Sequence, residues 1–179
     1  MNGRELVIGV SGGIAAYKSA QLVSRLVQAG AGVVVVMTRA AQRFVAPATF
    51  QALSGRPVAR DLFDPNRQSL GAHVELAEQA DLLCVAPATA NILAKAAVGL
   101  ADDLLSTLIL SFAGPILLAP AMNDRMWNKP SVARNLNTLK ADGFHIIDPV
   151  SGWLSCRHHG VGRMAEPEAI VEAIARLLG

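Results

Sequence analysis

The chain has 179 residues, of which 52% are apolar and 17% charged, with a formal net charge of +2. That length suits one domain with a full core, and the apolar content excludes a disordered chain. The small, unclustered charge gives nucleic-acid binding no electrostatic footing. The most apolar region, 104–121, is interrupted by Ser106, Thr107, Ser111, Gly114 and Pro115, so no membrane span is expected. Met1 to Glu5 is polar, and no leader peptide is expected. Two cysteines, Cys84 and Cys156, are too few for a disulfide framework, which predicts a cytoplasmic protein with reduced thiols. Part of the apolar excess is expected to be covered by partner subunits.

The elements follow in order. Leu6 to Val10 is a continuous apolar run, as in a strand buried on both faces of a parallel sheet. Ser11-Gly12-Gly13 comes next. Then a helix is predicted over 14–29, with Ile14, Tyr17, Leu22, Leu26 and Val27 on its buried face and Gly30 as its stop. Strand, glycine turn and helix start together suit an anion, which backbone N–H groups and the helix dipole would hold. The spacing is neither GxGxxG nor the P-loop pattern, and a plain βα turn explains it equally well. Gly32 to Met37 is a second strand, rich in β-branched residues. A polar turn, 39–44, leads to a short helix from Pro47 to Leu53. The stretch 54–70 reads as an irregular surface excursion.

His73 to Ala77 is compatible with strand or helix. Leu82 to Ala86 is a third buried strand, ended by Pro87-Ala88-Thr89-Ala90-Asn91. Cys84, inside it, reads as a small core residue. Helices are predicted over 92–98 and from Asp102 to about Phe112, the acidic pair favouring a helix start. Pro115 to Ala119 is a fourth strand, running into Pro120-Ala121-Met122-Asn123 and Arg125-Met126-Trp127. Pro130 to Ala141 is a helix, and Phe144 to Ile147 a fifth strand. The aperiodic stretch 150–162 reads as a functional loop or flap. Pro167 to Leu178 closes the chain as an amphipathic helix.

This alternation predicts a single α/β domain over 1–179. It should be three-layered, αβα, around a Rossmann-like or flavodoxin-like parallel sheet with right-handed crossovers. The turns after Val10, Ala86 and Ala119 should then share one sheet edge, where ligands bind in open α/β sheets.

Six segments carry a resemblance. They are Ser11 to Lys18, His73-Val74-Glu75-Leu76, Ala86 to Asn91, Ala101 to Leu105, Pro120 to Asn123 with Met126-Trp127, and Gly162-Arg163-Met164-Ala165-Glu166-Pro167. In this order, over essentially the whole chain, they resemble the flavin-containing cysteine decarboxylases. The likeness is strongest to the phosphopantothenoylcysteine decarboxylases of coenzyme A biosynthesis. The resemblance implies FMN as cofactor and conversion of 4'-phosphopantothenoylcysteine to 4'-phosphopantetheine. The cysteinyl unit would be oxidised to a thioaldehyde at the flavin, CO2 would leave to give an enethiolate, and hydride and a proton would then be returned.

What the resemblance implies residue by residue is as follows. His73 would serve catalysis at the flavin and substrate; an ordinary imidazole relays protons near neutral pH. Asn123 would hold the substrate carboxylate through an N–H, without a full charge opposing CO2 loss. Cys156 would supply the final proton, as a thiol of pKa about 8.5 can near neutrality. Met126, Gly160 and Lys18 would meet the substrate. FMN would lie against Ser11, Gly12, Gly13, Ile14, Thr38, Phe44, Pro87, Ala88, Thr89, Asn91, Ala121 and Met122, with Ser106 and Thr107 reaching it from a neighbouring subunit. A homotrimer, or a dodecamer of trimers, is implied. Relatives often continue into a CTP-dependent synthetase domain, which is expected here on a separate polypeptide. A peptidyl-cysteine decarboxylase and a non-catalytic FMN-binding regulatory protein are the alternatives. A flavin prenyltransferase is disfavoured, since that branch lacks the Pro-Ala-Met-Asn motif and the flap cysteine.

One departure stands out. Cys156-Arg157-His158-His159-Gly160-Val161-Gly162 has Arg157 where the family pattern has Gly. If that position needs φ > 0, Arg157 strains the flap, and its charge, with a nearby His, would lower the Cys156 pKa. Cys156 with His158-His159 has a zinc-like composition. Adjacent histidines share one metal poorly, however, and the sequence shows no fourth ligand, so no metal is expected.

Overall fold

The computed structural model describes residues 1–63 and 71–179. Five strands form one all-parallel sheet: β1 (Glu5–Val10), β2 (Gly32–Met37), β3 (Leu82–Ala88), β4 (Ile116–Pro120) and β5 (His145–Ile146). Their order, β2-β1-β3-β4-β5, is the flavodoxin-like one. The sheet therefore reverses direction of growth at β1, between β2 and β3. The crevice at that point is where the fold leaves room for a ligand.

Side chains alternate across the sheet and divide the core in two. Leu6, Ile8 and Val10 of β1 face one layer with Leu22 and Leu26 of α1 (Ala16–Gln28) and Ile170 and Ile174 of α8 (Pro167–Leu178). Val7 faces the other layer, with Leu105 and Leu108 of α5 (Leu104–Ser111) and Leu136 and Leu139 of α7 (Pro130–Ala141). Each such fully buried aliphatic side chain contributes about 1.5–3 kcal/mol against chain entropy. Both faces are covered by helices, which is why the strands read as unbroken apolar runs.

Three elements behave differently from the sequence expectation. First, β3 does not stop at Ala86 but runs through Pro87 and Ala88. Proline has no N–H for a ladder, and the β3–β4 register shifts between Val85 and Ala88, so pairing resumes at Ala88 with Pro120. Second, Ile14 and Tyr17 are not on the buried face of α1; both are more than half exposed, while Leu22 and Leu26 are sealed. Third, the stretch 150–162 is no irregular loop. It is an antiparallel hairpin of β6 (Val150–Trp153) and β7 (His159–Arg163).

The remaining helices are α2 (Pro47–Ser54), α3 (Ala72–Gln79), α4 (Ala90–Val98) and α6 (Asp124–Trp127), with one 3₁₀ turn over Ala41–Arg43. The ambiguous stretch from His73 is thus helical. The start of α5 is a capping box, in which Asp103 accepts from the Ser106 N–H at 2.8 Å and the Ser106 hydroxyl accepts from the Asp103 N–H. Such a cap is worth about 1 kcal/mol. The predicted excursion at 54–70 falls partly outside the described residues. Among the described residues, no helix is long and apolar enough to cross a membrane.

Candidate active site

A cavity of about 540 Å³ opens at the carboxyl ends of β1, β3 and β4. That is the size of a small-molecule or cofactor site. Its floor is Gly12 and Gly13 and the start of α1. Gly12 is required there, because a Cβ would lie 2.4 Å from the Cβ of Ala40. The first turn of α1 carries no acidic residue. The N–H groups of Gly12, Ile14 and Ala15 have no acceptor among the described residues. This end of a 13-residue helix is therefore a cradle for an anion. The walls are apolar and open to solvent: Ile14, Tyr17, Met126 and Trp153 line the cavity and are all strongly exposed. A flat, partly apolar molecule with an anionic end fits this combination.

Of the residues singled out in the sequence, Gly12, Gly13, Ile14, Lys18, Thr89, Asn91, Ala121, Met122, Asn123, Met126 and Cys156 line the cavity. Ser11, Pro87 and Ala88 lie just behind it. The Ser11 hydroxyl is buried, donates to the Pro87 carbonyl at 2.7 Å and accepts from the Thr89 N–H at 3.1 Å. Ser11 thus fastens the ends of β1 and β3 together. Thr38, Phe44, His73, Ser106, Thr107 and Gly160 do not line this chain's cavity. Thr38 caps the turn at Ala41, and Phe44 is half exposed. His73 sits in the first turn of α3, with its ring over Gly71 and its Nδ1 buried without a partner among the described residues. Ser106 and Thr107 are spent on the capping of α5.

Lys18 lines the cavity with its charge already engaged. As a candidate for holding an anion it should present a free charge. Its Nζ is instead almost fully buried, 2.8 Å from a Glu166 carboxylate oxygen and 3.2 Å from the Met164 carbonyl. Its charge already has a partner, and its effect is to tie α1 to the segment after β7. Residues missed in the sequence include Tyr17, Trp153, Leu154, Arg163 and Met164. The Gly162–Pro167 motif signalled the last two. Tyr17 lies in the Ser11–Lys18 segment, but its helical spacing placed it on a core face.

The turn after β4 is built around Asn123. Its side-chain oxygen caps α6 by accepting from the Arg125 N–H at 2.8 Å. That leaves the amide nitrogen free to donate, and it reaches Cys156 Sγ at 3.1 Å. The hairpin is held over this turn by the Met122 N–H, which donates to the Gly162 carbonyl at 3.0 Å. Gly162, at φ 146°, allows that approach; a Cβ there would lie 2.2 Å from the Met122 carbonyl oxygen. Cys156 is exposed at the hairpin tip. Cys84, by contrast, is sealed in β3, and burial pushes its thiol up to about 12, which makes it inert.

Arg157 has φ 66°, the left-handed region anticipated if this position suits glycine. The turn it forms is closed by the Arg157 N–H donating to Leu154 and the Leu154 N–H donating to His158. A non-glycine residue there costs roughly 1–2 kcal/mol, against about 0.5–1 kcal/mol for the extra freedom of glycine. Arg157→Gly is therefore expected to leave stability unchanged or raise it by up to about 1.5 kcal/mol in denaturant unfolding. A clear loss of stability would show that the guanidinium, not the backbone, sets this turn.

The hairpin also assembles a cluster that spacing did not reveal. Asp124 brings a carboxylate beside Cys156 and His158, and the three ligand atoms lie within 4.8 Å of one another. His159 points elsewhere, its ring edge-on to Trp153 at 5.6 Å between centroids.

The Flavoprotein family model matches residues 1–179. The chain is 49% identical over 172 residues to the coenzyme A biosynthesis bifunctional protein CoaBC of Bacillus subtilis. That match covers 96% of this chain and 42% of the relative, so the chain spans less than half of that protein's length. Among solved structures, the FMN-dependent cysteine decarboxylase SpaF superposes with a TM-score of 0.85 at 34% identity, covering 98% of this chain and 95% of SpaF. A cysteine-to-serine mutant of PPC decarboxylase complexed with pantothenoylaminoethenethiol superposes at 0.87 with 31% identity, covering 97% of each chain. Matched over its full length and sharing the fold of these enzymes, the chain belongs to the Flavoprotein family.

Proposed function

We propose that residues 1–179 form an FMN-dependent decarboxylase domain. Its reaction converts 4'-phosphopantothenoylcysteine to 4'-phosphopantetheine in coenzyme A biosynthesis. The observation that carries this reading is the 3.1 Å approach of the Asn123 amide nitrogen to Cys156 Sγ, at the wall of a cofactor-sized cavity. A neutral N–H donor and a cysteine sulfur meet at one point of the cavity wall. A cysteinyl substrate brings its carboxylate and its sulfur to such a point together. The named activities of the relatives support the same substrate class.

The glycine floor and the start of α1 would hold the FMN phosphate, and Ile14, Met122 and Thr89 would border the ring system. Bound there, FMN supplies the two-electron oxidation of the carbon–sulfur unit and returns the electrons after CO2 leaves. The protein's residues do the rest. Asn123 orients the carboxylate by hydrogen bonding. It lacks the full positive charge that would stabilise the carboxylate most before it leaves. Met126 and Trp153 would border the bound substrate with apolar surface. Cys156 donates the last proton to the enethiolate carbon and ends as a thiolate. The relative complexed with an ethenethiol carries a cysteine-to-serine change. That supports a cysteine acting after CO2 loss, and Cys156 is this chain's cavity cysteine.

A homo-oligomer, a trimer or dodecamer, belongs to this reading. His73 lies off its own chain's cavity, so its catalytic role needs a second copy to bring it there. The same holds for FMN contacts from Ser106 and Thr107. The exposed Ile14, Tyr17, Phe44 and Leu110 give such copies an apolar surface to share. A reducing, cytoplasmic setting would keep Cys156 a free thiol. The synthetase step of the bifunctional relatives lies outside residues 1–179.

The test is direct. The purified protein should be yellow, elute as an oligomer in light scattering, and release CO2 from phosphopantothenoylcysteine. A colourless protein that FMN cannot reconstitute overturns the reading. CO2 released from a peptide ending in cysteine, and not from phosphopantothenoylcysteine, moves the substrate to the peptidyl class.

A further inference from the structure

At the hairpin tip Cys156, the proposed proton donor, stands beside two side chains to which decarboxylation assigns no role, Asp124 and His158. Cys156 Sγ lies 3.9 Å from His158 Nε2, which lies 3.0 Å from Asp124 Oδ1. Asp124 Oδ1 is sealed from solvent and, among the described residues, receives no hydrogen bond of ideal geometry. A buried, unpaired carboxylate oxygen is costly. His158 Nε2 is its near neighbour at 3.0 Å, and hydrogen bonding from that ring holds the Asp124 carboxyl below its ordinary value. A cation shared by Asp124, His158 and Cys156, whose ligand atoms lie within 4.8 Å of one another, would answer the same charge.

The distances match a metal site. With metal–sulfur near 2.3 Å and metal–nitrogen or oxygen near 2.0–2.1 Å, tetrahedral geometry puts sulfur about 3.5 Å from nitrogen and nitrogen about 3.4 Å from oxygen. The observed 3.9 and 3.0 Å each differ from these by less than a rotamer adjustment at an exposed tip. Thiolate, imidazole and carboxylate together are a borderline-soft set that selects zinc over magnesium or calcium. The ligands come from two elements, since Asp124 opens α6 and the other two sit on the hairpin.

We propose that Asp124, Cys156 and His158 bind one zinc-type divalent cation, with water as fourth ligand, and that this ion is a reversible brake on the domain. Coordination replaces the thiol proton: Zn²⁺ and Cys–SH give Zn–S–Cys and one released H⁺. The sulfur is then tied to the metal and has no proton to give. The ion also pins the hairpin to α6 and so holds the flap shut. Metal binding itself is independent of the decarboxylase reading; the braking effect rests on the role proposed above for Cys156.

The experiment uses the purified flavin-loaded protein, stripped with a chelator and titrated with Zn²⁺ against a chromophoric competitor. One zinc per chain is expected. His158→Gln and Asp124→Asn should each weaken it by at least about tenfold, the lower end of what loss of a mere supporting contact costs a metal site. Cys156→Ser should abolish it, and His159→Gln should leave it unchanged. Co²⁺ should give a tetrahedral absorption band in the red, beyond the oxidised flavin, which the Cys156→Ser protein lacks. Equal zinc affinity in wild type and His158→Gln overturns the site. Zinc bound at full stoichiometry with CO2 release and product formation unaffected overturns the brake. Failure of the decarboxylase reading appears separately, as no turnover in metal-free protein.

Discussion

Asn123→Asp is expected to lose about 10²–10³-fold in kcat/KM for CO2 release while the protein stays folded and yellow. The magnitude is that of removing one preorganised donor from a site where charge changes. The substitution separates two tasks that one side chain performs. The oxygen that caps α6 at Arg125 survives, because Asp and Asn are equivalent N-caps. The N–H that reaches Cys156 does not survive, and a carboxylate replaces it beside a substrate carboxylate. Like charges at that distance add to the loss. Asn123→Ala removes the cap as well and should cost a further 0.5–2 kcal/mol in unfolding free energy, roughly the usual range for such caps. Flavin absorbance, CO2 release and denaturant midpoint measured together distinguish the two. Unimpaired turnover in Asn123→Asp takes Asn123 out of the mechanism.

Cys156→Ser should fail later in the reaction. Its hydroxyl still accepts from the Asn123 amide, so the pocket keeps its shape. A hydroxyl is a far poorer acid than a thiol, and loss of a positioned acid costs about 10²–10⁴-fold. About one CO2 per bound flavin is expected in a single burst, with the flavin left bleached and the fully reduced product no longer formed. Rapid mixing with substrate, following flavin absorbance and CO2 together, reads both halves. Sustained turnover at the wild-type rate would show that the last proton comes from elsewhere. Cys84 cannot substitute, since it is sealed in β3 with its thiol pushed up to about 12.

The sequence and the structure agree where neighbours in the chain decide the outcome. The helices α7 and α8 have the bounds that periodicity, an opening proline and, for α7, a nearby following glycine predict. Strands buried on both faces stand out because every residue in them is apolar. Agreement fails where distant residues decide. The β6–β7 hairpin has few β-branched residues, and its inward positions on β7 are the glycines Gly160 and Gly162, so neither propensity nor apolar alternation marks it. It exists because it docks on the Met122–Asn123 turn. Ile14 and Tyr17 carry helical spacing, but the cavity takes the place of a core beside them. Lys18 looks like a free cation until Glu166, 148 positions away, comes to meet it.

By itself, the sequence determined the order of elements, the parallel sheet, the glycine floor and the small set of polar residues able to do chemistry. It did so because helix period, strand burial and turn chemistry depend on residues a few positions apart. Only the tertiary structure decided which of those residues meet. Asn123 and Cys156 lie 33 positions apart and touch because the hairpin folds back over the end of β4. Asp124 joins Cys156 and His158 for the same reason, and His73 stays away from its own chain's cavity because α3 starts elsewhere. Long-range contact follows from sheet order and docking geometry, which no short stretch of the chain encodes.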